Sequence, residues 1–178
     1  MKIGIAGTGG IGSNVAVCLV RSGVRQFKLV DFDRVDGSNL NRQFYFRDQV
    51  GRLKVNALAD NLLRIAPNAC IERLAMRLEA RNAAAAFYDC DAVVEGLDGR
   101  AEKKMLIEAL ASSGRPIVSA SGVAGHRLDN IETRRIGTCT IIGDFRTDAD
   151  SARCHAAKVT AVAAMMAHVI LAKGGYYD

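Results

Sequence analysis

The fold of this 178-residue chain is decided by the stretch KIGIAGTGGIG, residues 2–12. An apolar strand, residues 2–6, precedes three glycines, Gly7, Gly9 and Gly12, which match the pattern G-x-G-x-x-G, and a helical pattern follows to about residue 21. Between a strand and a helix, the first glycine allows a tight turn, the second lets the backbone approach a phosphate, and the third lets the helix pack on the strand. The N-terminus of the helix favours an anion. The stretch therefore predicts a nucleotide-binding loop.

A second predicted strand, residues 26–30, ends at Asp31. A carboxylate at this place can accept hydrogen bonds from the hydroxyl groups of a ribose, and it would favour NAD over NADP by repelling a 2′-phosphate. An NAD-dependent oxidoreductase is therefore one functional alternative. Such an enzyme usually needs a second region to hold its substrate, and this chain has little sequence left over for one.

Strands and helices continue to alternate along the chain. Further helices are predicted near residues 51–66, 79–88, 100–113 and 156–173, and further strands near 70–75, 91–95 and 116–121. The alternation predicts an α/β fold, a Rossmann-like, doubly wound and mostly parallel sheet. Residues 120–145 break the alternation and indicate one or two more strands, which we interpret as an antiparallel edge. The length suggests a single domain over residues 1–178.

Composition limits the classes of partner. Apolar residues make up 49% and charged residues 24% of the chain, which is the balance of a soluble globular protein. The net charge of +5 suits an anionic partner, but no run of Lys and Arg indicates nucleic-acid binding. The longest apolar run, residues 159–167, is shorter than the roughly 20 residues that span a bilayer. The N-terminus resembles no signal peptide, so we expect a cytoplasmic protein that binds neither membrane nor nucleic acid.

Polar side chains follow Asp31 in a dense set. They are Asp33, Ser38, Asn39, Arg42, Gln43 and Lys54. Arg42 can bind a phosphate through two hydrogen bonds, and Lys54 can act as a point charge. Lys54 falls in the first turn of a predicted helix, where a cation is unfavourable unless an anion is near. The alternative is that Lys54 faces solvent.

Asp98 follows the strand near residues 91–95, within the sequence EGLDGR. Ligands of α/β proteins bind at the carboxyl ends of such strands. A carboxylate there can hold Mg²⁺ between phosphates. The alternative is an N-cap for the helix that begins near Arg100.

The order of GTGGIG, VDFDRVDGSNLNRQ, VGRLKV and EGLDGR resembles the ThiF/MoeB/E1-like adenylyltransferases, which activate ubiquitin-like sulfur carriers. The resemblance covers nearly the whole chain, and the segment DxD-x₅-NLxRQ is its most specific part. It implies ATP and Mg²⁺ as cofactors, with Asp98 as the metal ligand and with Asn39 and Arg42 facing the phosphates. The ATP-binding residues expected on this basis and from the glycine pattern are Gly7, Gly9, Gly10, Gly12, Asp31, Asp33, Ser38, Asn39, Arg42, Gln43 and Lys54.

The family's reaction implies the partner. The carboxylate of a carrier's C-terminal glycine attacks the α-phosphorus of ATP, pyrophosphate leaves, and an acyl-adenylate forms. Such chemistry depends on positioning and charge neutralisation, for which Arg42, Lys54 and Asp98 are the expected catalytic residues. The resemblance thus implies a small ubiquitin-like partner, ThiS-like and ending in Gly-Gly. Thiamine biosynthesis is the preferred pathway and molybdopterin synthesis the alternative, and a homodimer is expected.

Cys154 lies just before the last predicted helix, where the family has a cysteine that attacks the adenylate or forms a persulfide-linked intermediate. Arg153, His155 and the helix N-terminus would favour a reactive thiolate. The resemblance therefore makes Cys154 a fourth candidate catalytic residue. The alternative is an inert cysteine in a loop.

The chain also departs from the family pattern. The first strand begins at Lys2, without the preceding segment whose arginine completes the partner subunit's site in many relatives. The two CxxC pairs of larger relatives are missing, so we expect no zinc. Leu97-Asp98-Gly99 stands where the family usually has T-D-N. A non-catalytic nucleotide-binding member is therefore an open alternative, and so, less favoured, is a tRNA-modifying adenylating enzyme.

Overall fold

The computed structural model describes residues 1–147 and 152–177. Within these residues the strands are β1 (Lys2–Ala6), β2 (Gln26–Val30), β3 (Cys70–Leu74), β4 (Ala92–Glu95), β5 (Ile117–Ala120), β6 (Glu132–Ile136) and β7 (Cys139–Gly143). The α-helices are α1 (Gly10–Arg21), α2 (Lys54–Ile65), α3 (Ala80–Ala86), α4 (Arg100–Leu110) and α5 (Ala156–Lys173). The strands form one sheet in the order β3-β2-β1-β4-β5-β7-β6.

The sheet is parallel except at one edge. β1 pairs in parallel with β2 on one side and with β4 on the other, so the order of the strands reverses between β1 and β4. β6 pairs antiparallel with β7, because only residues 137 and 138 join them and so short a connection makes a hairpin. The predicted doubly wound α/β fold and its antiparallel edge are confirmed. The reversal opens a crevice at the carboxyl ends of the strands.

Two helix boundaries differ from the sequence prediction by three residues. The helix predicted from residue 51 begins at Lys54, because Gly51 has φ +87° and residues 51–53 form a turn that pairs with Arg34 and Val35. The helix predicted to reach residue 113 ends at Leu110 and continues as a 3₁₀ turn, Ala111–Ser113.

The core has one layer on each face of the sheet. α1, α2 and α5 cover one face, where Ile3 and Ile5 of β1 point. α3 and α4 cover the other face, where a Cβ atom on Gly4 would lie 2.5 Å from the ring of Phe87. The glycine thus makes room for an aromatic ring that is fully buried.

Helix α5 is long and apolar enough, by length and composition, to cross a membrane. Its residues Val162, Met166 and Ile170 are fully buried in the same apolar cluster as the core residues of α1. In this fold α5 is therefore a core helix.

Candidate functional site

Two cavities open at the carboxyl ends of the strands, on either side of the turn that follows β4. The small cavity, about 170 Å³, lies against β1 and β2, and the large cavity, about 660 Å³, lies against the ends of β5 and β7. Both are lined by Gly96, Leu97 and Asp98. We call these three residues the shared wall.

The glycine loop has the shape that its sequence predicts. Gly7 has φ +81°, and a Cβ atom there would lie 2.7 Å from the carbonyl oxygen of Gly96. A Cβ atom on Gly12 would overlap the carbonyl oxygen of Gly7. Helix α1 begins at Gly10 without a side-chain cap from Gly9, and these two residues line the large and the small cavity, respectively. The uncapped N–H groups at this helix start can therefore bind an anion.

Asp31 joins the glycine loop to the end of β2. Its Oδ2 accepts hydrogen bonds from the backbone N–H of Thr8 at 2.7 Å and from the Thr8 hydroxyl at 2.9 Å. Its Oδ1 accepts one from the N–H of Asp33 at 2.8 Å. A carboxylate has about four lone-pair sites, so Asp31, which lines the small cavity, keeps one acceptor site for a ribose hydroxyl.

Lys54 lies at the wall of the small cavity and does not face solvent, so that alternative is wrong. The side chain is 5% exposed, and its Nζ lies 3.0 Å from Oδ2 of Asp33. Lys54 is the first residue of α2, whose first turn has no acidic residue. Asp33 supplies the anion that a cation at this position needs.

The segment from Arg42 to Tyr45 is fixed to the glycine loop and α1 by side chains. Asn14 Nδ2 donates to the carbonyl oxygen of Arg42 at 2.9 Å, and the N–H of Phe44 donates to the Ser13 hydroxyl at 3.0 Å. The hydroxyl group of Tyr45 donates to the carbonyl oxygen of Thr8 at 2.7 Å. Burial raises the pKa of Tyr45 well above its usual range, so this hydroxyl stays a donor.

This anchoring brings two of the predicted residues to the site. Arg42 lines the large cavity, with its Cγ 3.8 Å from the place of a Cβ atom on Gly10. Gln43 is buried, with its Nε2 3.7 Å from the place of a Cβ atom on Gly9, and its Oε1 has no hydrogen-bond partner. Gln43 lines neither cavity, and its assignment to ATP stays a prediction.

Ser38 and Asn39 lie elsewhere. They belong to the 3₁₀ turn Gly37–Asn39, and the Ser38 hydroxyl donates to Oδ1 of Asp36 at 2.6 Å. That hydrogen bond lowers the pKa of Asp36. Neither Ser38 nor Asn39 lines either cavity, and their assignment to ATP stays a prediction.

Asp98 lies in the shared wall and is exposed, with its Oδ1 3.9 Å from the place of a Cβ atom on Gly9. The N-cap of α4 is Gly99, without a side-chain cap, so the N-cap alternative for Asp98 is wrong. Mg²⁺ in nucleotide sites is usually bound by one or two carboxylates together with phosphates and water. An exposed carboxylate beside an uncapped helix start fits a magnesium nucleotide. Within residues 1–147 and 152–177, no three His, Cys, Asp or Glu side chains form a preformed metal centre.

Behind the shared wall lies a carboxylate that the sequence analysis missed. Glu95 is fully buried at the end of β4, and its two oxygens lie 3.1 and 3.0 Å from Nζ of Lys103. It also accepts hydrogen bonds from the Ser119 hydroxyl at 2.6 Å and from the N–H of Leu97 at 2.7 Å. Glu95 thereby fixes the turn that carries Asp98. A charged residue within the apolar strand AVVE was the signal for it.

The large cavity also collects residues from the second half of the chain. Arg100, Lys103, Arg146 and Cys154 line it together with Arg42 and Asp98. Cys154 is half-buried and forms an isolated parallel bridge with Gly125. The structure thus places this thiol in the same cavity as the predicted phosphate-binding arginine, and its catalytic role stays a prediction.

The family model described as "ThiF family" matches residues 1–173. This chain belongs to the ThiF family. Curated relatives include the adenylyltransferase and sulfurtransferase uba4 of Emericella nidulans, 34% identical over 123 residues, which cover 68% of this chain and 26% of that protein. They also include the probable adenylyltransferase/sulfurtransferase MoeZ of Mycobacterium tuberculosis, 32% identical over 121 residues, covering 67% and 31%. The matches cover about a quarter to a third of these relatives.

Solved structures share the fold of this ThiF-family chain. The E. coli tRNA N6-threonylcarbamoyladenosine dehydratase TcdA, in complex with ATP, has a TM-score of 0.85 at 21% identity, covering 98% of this chain and 87% of that one. E. coli MccB, with AMPCPP and MccA, has a TM-score of 0.78 at 22% identity, and the match covers 98% of this chain and 56% of that one. At these identities the likeness shows the fold alone.

Proposed function

We propose that this ThiF-family chain is an adenylyltransferase domain, spanning residues 1–178. It transfers AMP from ATP to the C-terminal glycine of a small ubiquitin-like sulfur-carrier protein that ends in Gly-Gly. One observation carries the proposal. The glycine loop and Asp98 lie where the small cavity meets the large one, so a phosphate held there faces an acceptor in the second cavity.

The nucleoside occupies the small cavity. Its apolar side is formed by Phe32, Met76 and Leu78, and Asp31 accepts a hydrogen bond from the ribose. The phosphates follow the uncapped start of α1 toward Arg42, with Lys54 as a second cation. Mg²⁺ bound to Asp98 supplies further charge neutralisation when it is present.

The carrier's tail enters the large cavity. A carboxylate oxygen of its last glycine attacks the α-phosphorus, the bond from that phosphorus to the oxygen bridging to the β-phosphorus breaks, and pyrophosphate leaves. Because the nucleophile is already an anion, no general base is needed. The residues of this chain position the two reactants and stabilise the charge that develops on the phosphate oxygens.

Cys154 acts after adenylation. Its thiolate attacks the carbonyl carbon of the acyl-adenylate, a thioester forms, and AMP leaves. A thiamine-type carrier is the partner we propose, with a molybdopterin-type carrier as the alternative. A cytoplasmic homodimer without zinc is the form in which we expect the enzyme to act.

Exchange of labelled pyrophosphate into ATP tests the proposal, measured with a panel of purified carriers that end in Gly-Gly. Arg42→Ala and Asp98→Ala should lower carrier-dependent exchange about 100-fold or more, because one lost contact to transition-state charge typically costs that much. Cys154→Ala should leave exchange nearly intact, since the thiol acts later. Exchange that stops in Cys154→Ala and persists in Arg42→Ala would invert the assigned roles.

A ligand comparison separates this function from a nicotinamide enzyme. ATP with Mg²⁺ should raise the melting temperature, because a ligand that binds only the folded state stabilises it, and NAD⁺ should not. Stabilisation by NAD⁺ alone would contradict the adenylyltransferase proposal.

A further inference from the structure

We propose that Arg146 binds the terminal carboxylate of the acceptor and that the buried pair Asp144 and Lys158 positions it. The inference rests on the proposed function and names the residues that select the acceptor. Arg146 is the substrate-contacting group, whereas Asp144 and Lys158 act only through it.

Arg146 lies on the part of the large cavity that follows β7. It is exposed, and within the described residues no carboxylate forms an ion pair with its guanidinium group. Arg42 lines the same cavity beside Gly10, next to the glycine loop. The wall shared with the small cavity lies on the nucleotide side, and Arg146 is not part of it. Besides Arg100 and Lys103, which follow the shared wall, the cavity therefore has one arginine by the glycine loop and another after β7.

The backbone at Arg146 is held in a costly conformation. Oδ1 of Asp144 accepts hydrogen bonds from the N–H groups of Arg146 and Thr147, both at 2.9 Å. Phe145, between Asp144 and Arg146, has φ +57°, and no other non-glycine residue of the described chain has a positive φ. Such a conformation is unfavourable for a residue with a side chain and persists only where the surroundings enforce it.

The enforcing group is a buried ion pair. Nζ of Lys158 lies 2.6 Å from Oδ2 of Asp144 and donates to the carbonyl oxygen of Ala124 at 2.7 Å. Both side chains are at most 1% exposed, and a Cβ atom on Gly122 would overlap Oδ1 of Asp144. An apolar pair of similar size is often as stable as a buried ion pair. We therefore assign the pair a positioning role, because it ties the end of β7 and the loop after β5 to the first turn of α5.

The chemistry of the cavity indicates a slim anionic chain end. Gly10, Ala120, Ser121 and Gly122 line it with small side chains or none, which leaves room for a diglycine tail. A guanidinium group binds a carboxylate through two parallel hydrogen bonds. Pyrophosphate is a second possible source of an oxyanion. We assign Arg146 to the carboxylate because Arg42 and the uncapped start of α1 already serve the phosphates, and a carboxylate bound by Arg146 lies in the same cavity that the phosphate at the glycine loop faces.

Peptide binding tests the assignment. A fluorescent peptide ending in Gly-Gly is titrated with the full chain saturated with a non-hydrolysable ATP analogue, and its free acid is compared with its C-terminal amide. The wild type should bind the acid about tenfold more tightly than the amide, and Arg146→Ala should abolish that preference. Arg146→Lys should keep part of it. Arg135→Ala is the matched control, because the Arg135 side chain donates to the carbonyl oxygen of Gly137 in its own hairpin and lines neither cavity. This variant should keep the full preference for the acid.

The positioning role has its own variants. Lys158→Met should lose the preference for the acid while the dissociation constant of ATP stays within about twofold. The double variant Asp144→Asn with Lys158→Met removes both charges, so we expect it to fold even if the single variant does not, and it should also lose the preference. A merely structural role would lower the melting temperature and leave the acid-to-amide ratio unchanged, and that result would overturn the positioning role.

The remaining outcomes separate the assignment of Arg146 from the proposed adenylyltransferase function. A preference that survives Arg146→Ala, or a wild type that binds ATP yet treats acid and amide alike, overturns the assignment of Arg146. Competition by inorganic pyrophosphate that weakens in Arg146→Ala, with the acid preference intact, assigns the arginine to the phosphates and also overturns it. A wild type that fails to bind ATP contradicts the proposed function itself, and the inference falls with it.

Discussion

The two halves of the crevice each contain a buried lysine in the first turn of a helix, paired with an aspartate. In the half formed by β1 and β2, Lys54 pairs with Asp33, whose side chain is 45% exposed. In the half formed by β5 and β7, Lys158 pairs with Asp144, whose side chain is fully buried. The first pair lines a cavity and can exchange its partner for a ligand's phosphate. The second lies behind the cavity wall and can only hold that wall in place.

The largest expected effect comes from Lys158→Met. It leaves Asp144 buried without its cation, which costs about 3–5 kcal/mol of the free energy of unfolding. Lys54→Met should cost only about 1 kcal/mol, because Asp33 remains hydrated. Denaturant unfolding of the two variants measures the difference. Equal losses would remove the distinction between the two pairs.

The next largest effect is expected from Gly12→Ala, in the half formed by β1 and β2. The added methyl group overlaps the carbonyl oxygen of Gly7, and such overpacking costs about 3 kcal/mol. Both the melting temperature and the affinity for ATP should fall. Gly37→Ala is the control, since a Cβ atom there meets nothing within 4 Å. A Gly12→Ala variant as stable as Gly37→Ala would show that α1 does not pack on β1 as described.

Acid should weaken the half of the crevice formed by β5 and β7 through Asp144. Burial alone would raise the pKa of Asp144, but hydrogen bonds from Lys158, Thr147 and Arg146 outweigh it and hold the pKa well below its ordinary value of 3.8. A group with a lowered pKa contributes stability above its unfolded value and loses it as pH falls toward its folded value. The wild type should therefore lose roughly 2 kcal/mol more than Asp144→Asn with Lys158→Met between pH 5 and pH 2. Parallel unfolding curves for the two proteins would contradict this.

Tyr45→Phe should have a smaller effect. It removes the hydrogen bond to the carbonyl oxygen of Thr8 and leaves that oxygen buried, at a cost of about 1 kcal/mol. The affinity for ATP should drop a few-fold, because the hydroxyl group fixes the segment of Arg42 to the glycine loop. Isothermal titration calorimetry measures this affinity. Loss of stability without any change in ATP affinity would show that the hydroxyl group stabilises the fold but does not position Arg42 for ATP.

The smallest effect is expected from Ser38→Ala. Its hydroxyl group bonds to an exposed carboxylate and lines neither cavity, so the ATP affinity should stay within about twofold of the wild type, as it should for a substitution away from the ligand. The family resemblance implies a larger loss. The measured ATP affinity of this variant decides between the structure and the resemblance.

The same contrast governs what the sequence could predict. Gly7, Gly12 and Asp31 could be predicted because a strand, a turn and a helix in this order require such residues at fixed spacing. The half formed by β5 and β7 depends on Asp144 and Lys158. These residues come into contact only when β7 and α5 pack together, so no local spacing in the sequence predicts the pair. The sequence signal for Asp144 and Lys158 was a charged residue at the end of an apolar run or within one, as it was for Glu95.

Element boundaries failed for a related reason. Helical periodicity predicted helix before Lys54, but pairing of that turn with residues 34 and 35 ended the helix. Ser38 and Asn39 fit a ligand-binding motif, and their assignment to ATP stays a prediction, but the hydrogen bond from Ser38 to Asp36 in the 3₁₀ turn could not be predicted from that motif. In both cases the pattern does not encode a contact that the structure shows.

An open sheet exposes two edge strands, and such edges can pair with another molecule and start aggregation. Both edges here carry charge. On β3, Glu72 lies 2.8 Å from Nζ of Lys2. On β6, all five residues are exposed, and Glu132 pairs with Arg134 at 2.9 Å. A second sheet that joined either edge would have to accommodate these charged side chains, so the two strands that contribute least to the core disfavour edge-to-edge association.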